Sequence, residues 1–131
     1  IGITVGDDVK VILMEAKEDH PFVQVELMMP ILPLVRVPDV DQAIEMAVRV
    51  EHGNRHTAMM HSRNVEKLTK MAKLIQTTIF VKNGPSYAGI GVGGEGYTTF
   101  TIAGPTGEGL TSAKSFARRR RCVLVGGMDV R

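Results

Sequence analysis

The sequence predicts an α/β fold with a parallel-sheet βαβαβ core, followed by a C-terminal helix and a short final strand. Apolar runs of strand length alternate with two helical periodicities, and the links between them are short. Crossovers between neighbouring parallel strands are right-handed, and ligands gather at the carboxyl ends of such strands. The third observation is a break in that regularity: nine of the 14 glycines fall between Gly84 and Gly109. They lie in NGPSYAGIGVGGEGYTTFTIAGPTGEGLTS, from Asn83 to Ser112. Glycine costs backbone entropy and is used where the chain needs positive φ or close backbone approach. A long stretch of this kind inside a regular domain, with a β-like run at Tyr97 to Ile102, reads as the wall of a pocket.

The elements follow in order. Val9 to Met14 is apolar and rich in β-branched residues, a buried strand by length and composition. Phe22 to Leu27 alternates apolar and polar, a second strand with Gln24 and Glu26 on one face. Pro30 and Pro33 mark a turn or sheet edge, since proline cannot donate to a ladder, and Leu34 to Val37 resumes extended. Asp39 caps a helix reaching about Val50, Gln42 completes a capping-box pattern, and Val40, Ile44, Ala47 and Val48 share its apolar face. His56 to His61 is the next strand. A second helix runs from about Asn64, with Val65, Leu68, Ala72 and Ile75 inward and Lys67, Lys70 and Lys73 in water. Thr77 to Val81 is a further strand, ending where the glycine-rich stretch begins and so placing it at the carboxyl end. Leu110 to Arg120 is the expected C-terminal helix, and Cys122 to Val125 the last strand.

Composition narrows the function classes. At 131 residues, 44% hydrophobic and 23% charged, the chain fits one globular domain with a real core. Its apolar runs are broken well short of the roughly 18 residues of a membrane span, and no stretch has signal-peptide order. One cysteine precludes an internal disulfide framework and suits a reducing, cytoplasmic setting. The net charge of +2 is uneven: without Arg118 to Arg121, 12 basic residues face 14 acidic ones. That is a local feature, not a nucleic-acid footprint, and aromatic and basic residues are not interleaved as single-strand binders require.

No motif completes a catalytic set. Gly91, Gly93 and Gly96 match G-x-G-x-x-G, but that fingerprint requires a strand just before and a helix opening at its end. Here Asn83 to Ser86 intervene and a β-like run follows. Cys122 opens an apolar run, and free cysteine is among the most buried residue types, so packing is its expected role. Four adjacent arginines would lower its thiol pKa were it exposed. His56 and His61 face opposite sides of a strand, which argues against shared metal ligation with His52. The arginine run reads as a solvated helix end or as a contact for a phosphate-bearing ligand.

Four segments together resemble the C-terminal part of CoA-acylating aldehyde dehydrogenases, which act on propionaldehyde or acetaldehyde in propanediol and ethanolamine utilisation. They are PFVQVELMMPILP (21–33), GNRHTAMMHS (53–62), QTTIFVKNGPSYAGIGVGGEGYTTFTIAGPTGEGLTSA (76–113) and RRRRCVLVGG (118–127). The resemblance implies that residues 1–131 are one incomplete domain: the later part of an aldehyde dehydrogenase catalytic domain with its oligomerisation strand. The NAD-binding domain and nucleophilic cysteine would lie outside it. In that family a cysteine thiolate attacks the aldehyde, hydride passes to NAD, and coenzyme A takes the acyl group.

By the same resemblance Glu26 falls in the E-x-x-x-P segment whose acid reaches the nicotinamide ribose. Met28-Met29 stand where the hydrolytic type commonly has Phe-Gly. Thr101, Ile102 and Ala103 would line the aldehyde pocket, and a short apolar lining suits small aldehydes. No catalytic or metal-binding residue is carried over. The implied partners are a small aldehyde, further copies of the chain in a homo-oligomer and the rest of the parent dehydrogenase. The implied setting is cytoplasmic, inside a bacterial microcompartment where such pathways are enclosed. The isolated chain should be inactive, bind NAD and CoA weakly, and self-associate through exposed apolar surface and the Cys122–Val125 edge. The competing reading is a free-standing α/β module that holds a phosphorylated ligand or protein partner with its glycine-rich loop and arginines.

Overall fold

The computed structural model describes residues 6–99, 102, 103 and 109–126. Its elements are β1 (Ile12–Glu15), α1 (Pro21–Gln24), β2 (Ile31–Leu34), α2 (Val40–Val50), β3 (Thr57–Met60), α3 (Val65–Ile75) and β4 (Ile79–Lys82). A 3-10 turn follows at Ser86–Ile90, then β5 (Ile102–Ala103), β6 (Gly109–Leu110) and a second 3-10 turn at Ala113–Phe116. The α/β order and the parallel pairings hold. Among the described residues, however, the strands form separate pairs, β1 with β2 and β3 with β4, both parallel. β5 and β6 form a short antiparallel pair.

Both long helices start where their caps require. Asp39 Oδ1 accepts the Gln42 amide at 2.9 Å, and Gln42 Nε2 donates back to Asp39 Oδ2 at 3.1 Å. The glutamine thus returns to the cap's side chain rather than to its backbone, a variant of the capping box. Asn64 Oδ1 accepts the Lys67 amide at 3.0 Å. The helices are also tied by charge: Asp41 receives Lys67 Nζ at 2.7 Å and Lys70 Nζ at 2.8 Å. Two of the three lysines expected in open water therefore grip the other helix.

Strand alternation sorts the layers. Ala58, Met60 and Phe80 face the helices and meet Ile44, Leu68, Met71 and Ile75 in the core. Ile79 and Val81 are buried on the opposite face, under the first 3-10 turn. Met71 rather than Ala72 completes the α3 stripe, and Val65 and Val40 stay exposed.

Four expectations change. β1 is not buried, since Ile12 and Leu13 are more than half exposed. Phe22 to Leu27 is not a strand. Pro21 suits the first helical position, His20 Nδ1 accepts the Phe22 amide at 3.1 Å and Val25 N–H bonds Pro21 O at 3.0 Å. Those local bonds wind Pro21–Gln24 into one helical turn. The Leu110–Arg120 helix is replaced by β6, whose Leu110 pairs with Ile102, and by the 3-10 turn at Ala113–Phe116. Beyond it, Arg118 to Val125 is exposed and carries neither helix nor paired strand, so the arginines do not end a helix and Cys122 is exposed rather than packed.

Candidate functional site

The site begins with the segment that carries Glu26. Gln24 Nε2 donates to the Glu18 carbonyl at 2.5 Å, and the Glu18 carboxylate takes Arg49 Nε and a terminal guanidinium nitrogen at 2.9 and 3.0 Å. This bidentate pair fastens the α1 turn to the last turn of α2. The Arg49 hydrogen bond holds the Glu18 carboxyl below its ordinary value, and the same bond raises Arg49. Beyond the turn Glu26 is exposed, and among the described residues no hydrogen bond or ion pair engages its carboxylate.

The opposite wall is built by the glycine-rich stretch. Asn83, at φ +56, turns the chain out of β4, and the 3-10 turn folds back over the strand. A Cβ on Gly89 would strike Ile79 Cγ2, and one on Gly96 would fall on the Gly89 carbonyl. The backbone is thus stacked on the sheet and then on itself, which only glycine permits. A 3-10 turn, not a strand, directly precedes Gly91, and among the described residues no helix opens at Gly96, so the G-x-G-x-x-G match is not a dinucleotide fingerprint. Further on, the β5–β6 pairing fixes Ile102, and the hydroxyls of Thr99 and buried Thr111 lie 3.2 Å apart.

Between these walls lies a cavity of about 310 Å³. Its apolar side is Met28, Ile79, Ile90 and Ile102, and its polar side includes Glu26, His56, Thr57 and Thr99, with Ser86 and Tyr87 completing it. A wider cleft of about 690 Å³ shares Glu26, His56 and Thr57 and adds Glu51, His52 and Asn54. Glu26, His56 and Thr57 therefore form the partition between two spaces. His56 Nδ1 lies 2.7 Å from Thr57 Oγ1, and the His56 side chain is exposed.

Two expected site residues, Glu26 and Ile102, thus meet in one cavity. Ala103 is placed by its backbone pairing with Gly109, and Thr101 lies outside the described residues. The site's location is a correction. Thr57 and Ile79 are the first residues of β3 and β4, so the cavity lies at the amino ends of the strands. The loop leaves the carboxyl end and doubles back, a path its glycines allow but do not announce. Met28, His56, Thr57 and Tyr87 escaped the sequence reading as lining residues, although the period-2 alternation of β3 places Thr57 on the loop side. Cys122 and the arginines line neither space. Among the described residues no three His, Cys, Asp or Glu side chains are grouped to hold a metal, and no helix is long and apolar enough to cross a membrane.

The chain has clear relatives. The model of the aldehyde dehydrogenase family matches residues 10–109. The acetaldehyde dehydrogenase (acetylating) EutE of Salmonella typhimurium is 56% identical over 130 residues, 99% of this chain and 28% of that protein. Rhodopseudomonas palustris propionaldehyde dehydrogenase, solved with bound propionyl-CoA, superposes with a TM-score of 0.87 at 77% identity, over 94% of this chain and 27% of that one. A propionaldehyde dehydrogenase from the Clostridium phytofermentans fucose utilisation bacterial microcompartment gives 0.86 at 55% identity, over 99% of this chain and 30% of that one. The chain spans little more than a quarter of the length of these relatives.

Proposed function

The chain belongs to the aldehyde dehydrogenase family, and from that premise we propose that it is the later part of the catalytic domain of an NAD-dependent, CoA-acylating dehydrogenase for a small aldehyde. What supports this reading is the meeting of Glu26 and Ile102 across one cavity of about 310 Å³. That volume sits at the small end of ligand pockets, and one side is aliphatic while the other is polar.

The residues present suit the groups implied. Glu26 offers an exposed carboxylate with no partner among the described residues, an acceptor for the two hydroxyls of a ribose. The Glu18–Arg49 pair and the Gln24 hydrogen bond position the segment that presents it. Ile102, Ile79 and Ile90 exclude water from the alkyl chain of the aldehyde. His56, oriented by Thr57, places a ring nitrogen at the polar side, where it donates to or accepts from a bound oxygen. When bound, NAD supplies the hydride acceptor and CoA the thiol that takes up the acyl group. The nucleophilic cysteine belongs to another part of the parent enzyme, for Cys122 is exposed and lines neither cavity. The parent acts as a homo-oligomer in the cytoplasm, enclosed in a microcompartment where the pathway is.

The test is a split of kinetic constants in the full-length enzyme. Glu26→Gln should raise KM for NAD about tenfold, the order expected for a hydrogen bond to a charged group, with KM for propionaldehyde little changed. Ile102→Ala should do the reverse. Equal effects of both variants on both constants would remove the assignment.

A further inference from the structure

Glu18 stands at the junction of two tethers. Its carbonyl receives Gln24 Nε2 at 2.5 Å, which closes the chain between residues 18 and 24 on itself. Its carboxylate receives Arg49 Nε at 2.9 Å and a terminal guanidinium nitrogen at 3.0 Å, which ties that closed segment to the last turn of α2. Inside the segment His20 O accepts the amides of Val23 and Gln24 at 2.8 and 3.2 Å, and Pro21 O accepts the Val25 amide at 3.0 Å. The backbone is thus held as far as Val25, and the next residue is the exposed Glu26.

Stability does not account for the bridge. The Arg49 and Glu18 side chains are 56% and 35% exposed, and ion pairs so placed contribute little to folding. A forked guanidinium–carboxylate pair does supply a fixed distance and plane. Here that geometry spans the wider cleft: Gln24 and Glu26 line it from the α1 side, and Val50 and Glu51, the residues after Arg49, line it from the α2 side. The other ion pairs among the described residues join Glu15 to Arg36 and Asp41 to Lys67 and Lys70, and none of those residues lines the cleft.

We propose that Glu18 and Arg49 are positioning residues for the cofactor: their bridge fixes the Glu26 segment against the end of α2, and NAD affinity depends on it. The inference rests on the reading that Glu26 accepts the ribose hydroxyls of NAD, and deepens it.

The experiment measures kcat and the KM values for NAD and propionaldehyde in the full-length dehydrogenase and its variants. Arg49→Met and Glu18→Gln should each raise KM for NAD about fivefold, a smaller effect than loss of the Glu26 carboxylate because they displace that group without removing it. Neither should move KM for propionaldehyde. Arg49→Lys, which keeps the charge without the fork, should lie between the parent and Arg49→Met. The double variant Glu26→Gln/Arg49→Met should bind NAD no more weakly than Glu26→Gln alone, since residues acting through one contact are not additive. Asp41→Asn removes the other helix clasp and should leave KM for NAD unchanged. The near-isosteric Glu18→Gln keeps the test valid if Arg49→Met fails to fold. An unchanged KM for NAD in Glu18→Gln and Arg49→Lys, with Glu26→Gln impaired, overturns the proposal. So does an additive double variant, or a rise in Asp41→Asn equal to that in Arg49→Met, which would reflect general loosening. If Glu26→Gln itself leaves KM for NAD unchanged, the ribose reading fails and this inference with it, an outcome that the single Glu26 variant tells apart from the others.

Discussion

Asn83 and Ser62 are joined by a reciprocal pair of hydrogen bonds: the Ser62 amide donates to Asn83 Oδ1 at 2.7 Å, and Asn83 Nδ2 donates to the Ser62 carbonyl at 3.0 Å. The Asn83 amide also donates to the Met60 carbonyl at 2.9 Å. One side chain therefore binds the exit of β3 to the exit of β4 while its backbone, at φ +56, turns the chain into the glycine-rich loop. Asparagine is among the few residues that tolerate that conformation.

Asn83→Ala should lose both side-chain bonds and strain the turn, costing about 2 kcal/mol. Asn83→Gly keeps the turn without the bonds and should cost roughly half as much. Denaturant unfolding monitored by circular dichroism measures both, and an alanine variant as stable as the parent would refute the role.

The Asp41 clasp predicts a pH dependence. Hydrogen bonds from Lys67 and then Lys70 lower its pKa from 3.8 to about 2. A carboxylate depressed in the folded state contributes stability above its unfolded pKa and loses it as pH falls through the folded one. The clasp's share should therefore vanish between about pH 4 and pH 2. Asp41→Asn should flatten that part of the stability curve, and added salt should weaken the effect because the groups are only partly buried. Thermal melts across this window decide it, with an unchanged slope in the variant as the contrary result.

The glycines of the loop should not be equivalent. Gly96→Ala drives a methyl onto the Gly89 carbonyl and so forces backbone to move, whereas Gly93, at φ +72, has nothing within 4 Å of its would-be Cβ. Gly93→Ala should cost about 1 kcal/mol of conformational strain, and Gly96→Ala about 2–3 kcal/mol from overpacking. The reverse ranking in melting temperatures would show that the loop does not stack as described.

Hydrogen exchange should divide the strands. A two-stranded ladder is marginal without a packed face, and β1–β2 exposes Ile12, Leu13, Leu32 and Leu34. Its amides should exchange early, while those of β3–β4, covered by helices on one face and the loop on the other, exchange late. Within an assembly that covers the β1–β2 face the difference should shrink. Equal protection in the isolated chain would contradict this description.

What was legible in the sequence follows from locality. Asp39 and Asn64 announce α2 and α3 because a cap acts within three residues, and the apolar stripes repeat within one helix. The Pro21–Gln24 turn was hidden because histidine is an unusual cap and FVQVEL alternates like a strand. Leu110 to Arg120 reads as a helix until one sees that Leu110 pairs antiparallel with Ile102. The site was half legible. Glu26 and Ile102 came from family resemblance, His56 is set beside Ile79 by the β3–β4 pairing, and Ser86, Tyr87 and Ile90 join them through the fold-back of the loop over Ile79, a tertiary event with no periodic signature.

The most direct test of the account is whether the full-length protein makes propionyl-CoA. Propionaldehyde, NAD and CoA are incubated with it, NADH is followed by absorbance and the acyl product by mass spectrometry. The account predicts NADH and propionyl-CoA in equal amounts, with sustained turnover only when CoA is present. Sustained NADH formation without CoA, with free propionate as product, would contradict it, as would the absence of any aldehyde oxidation.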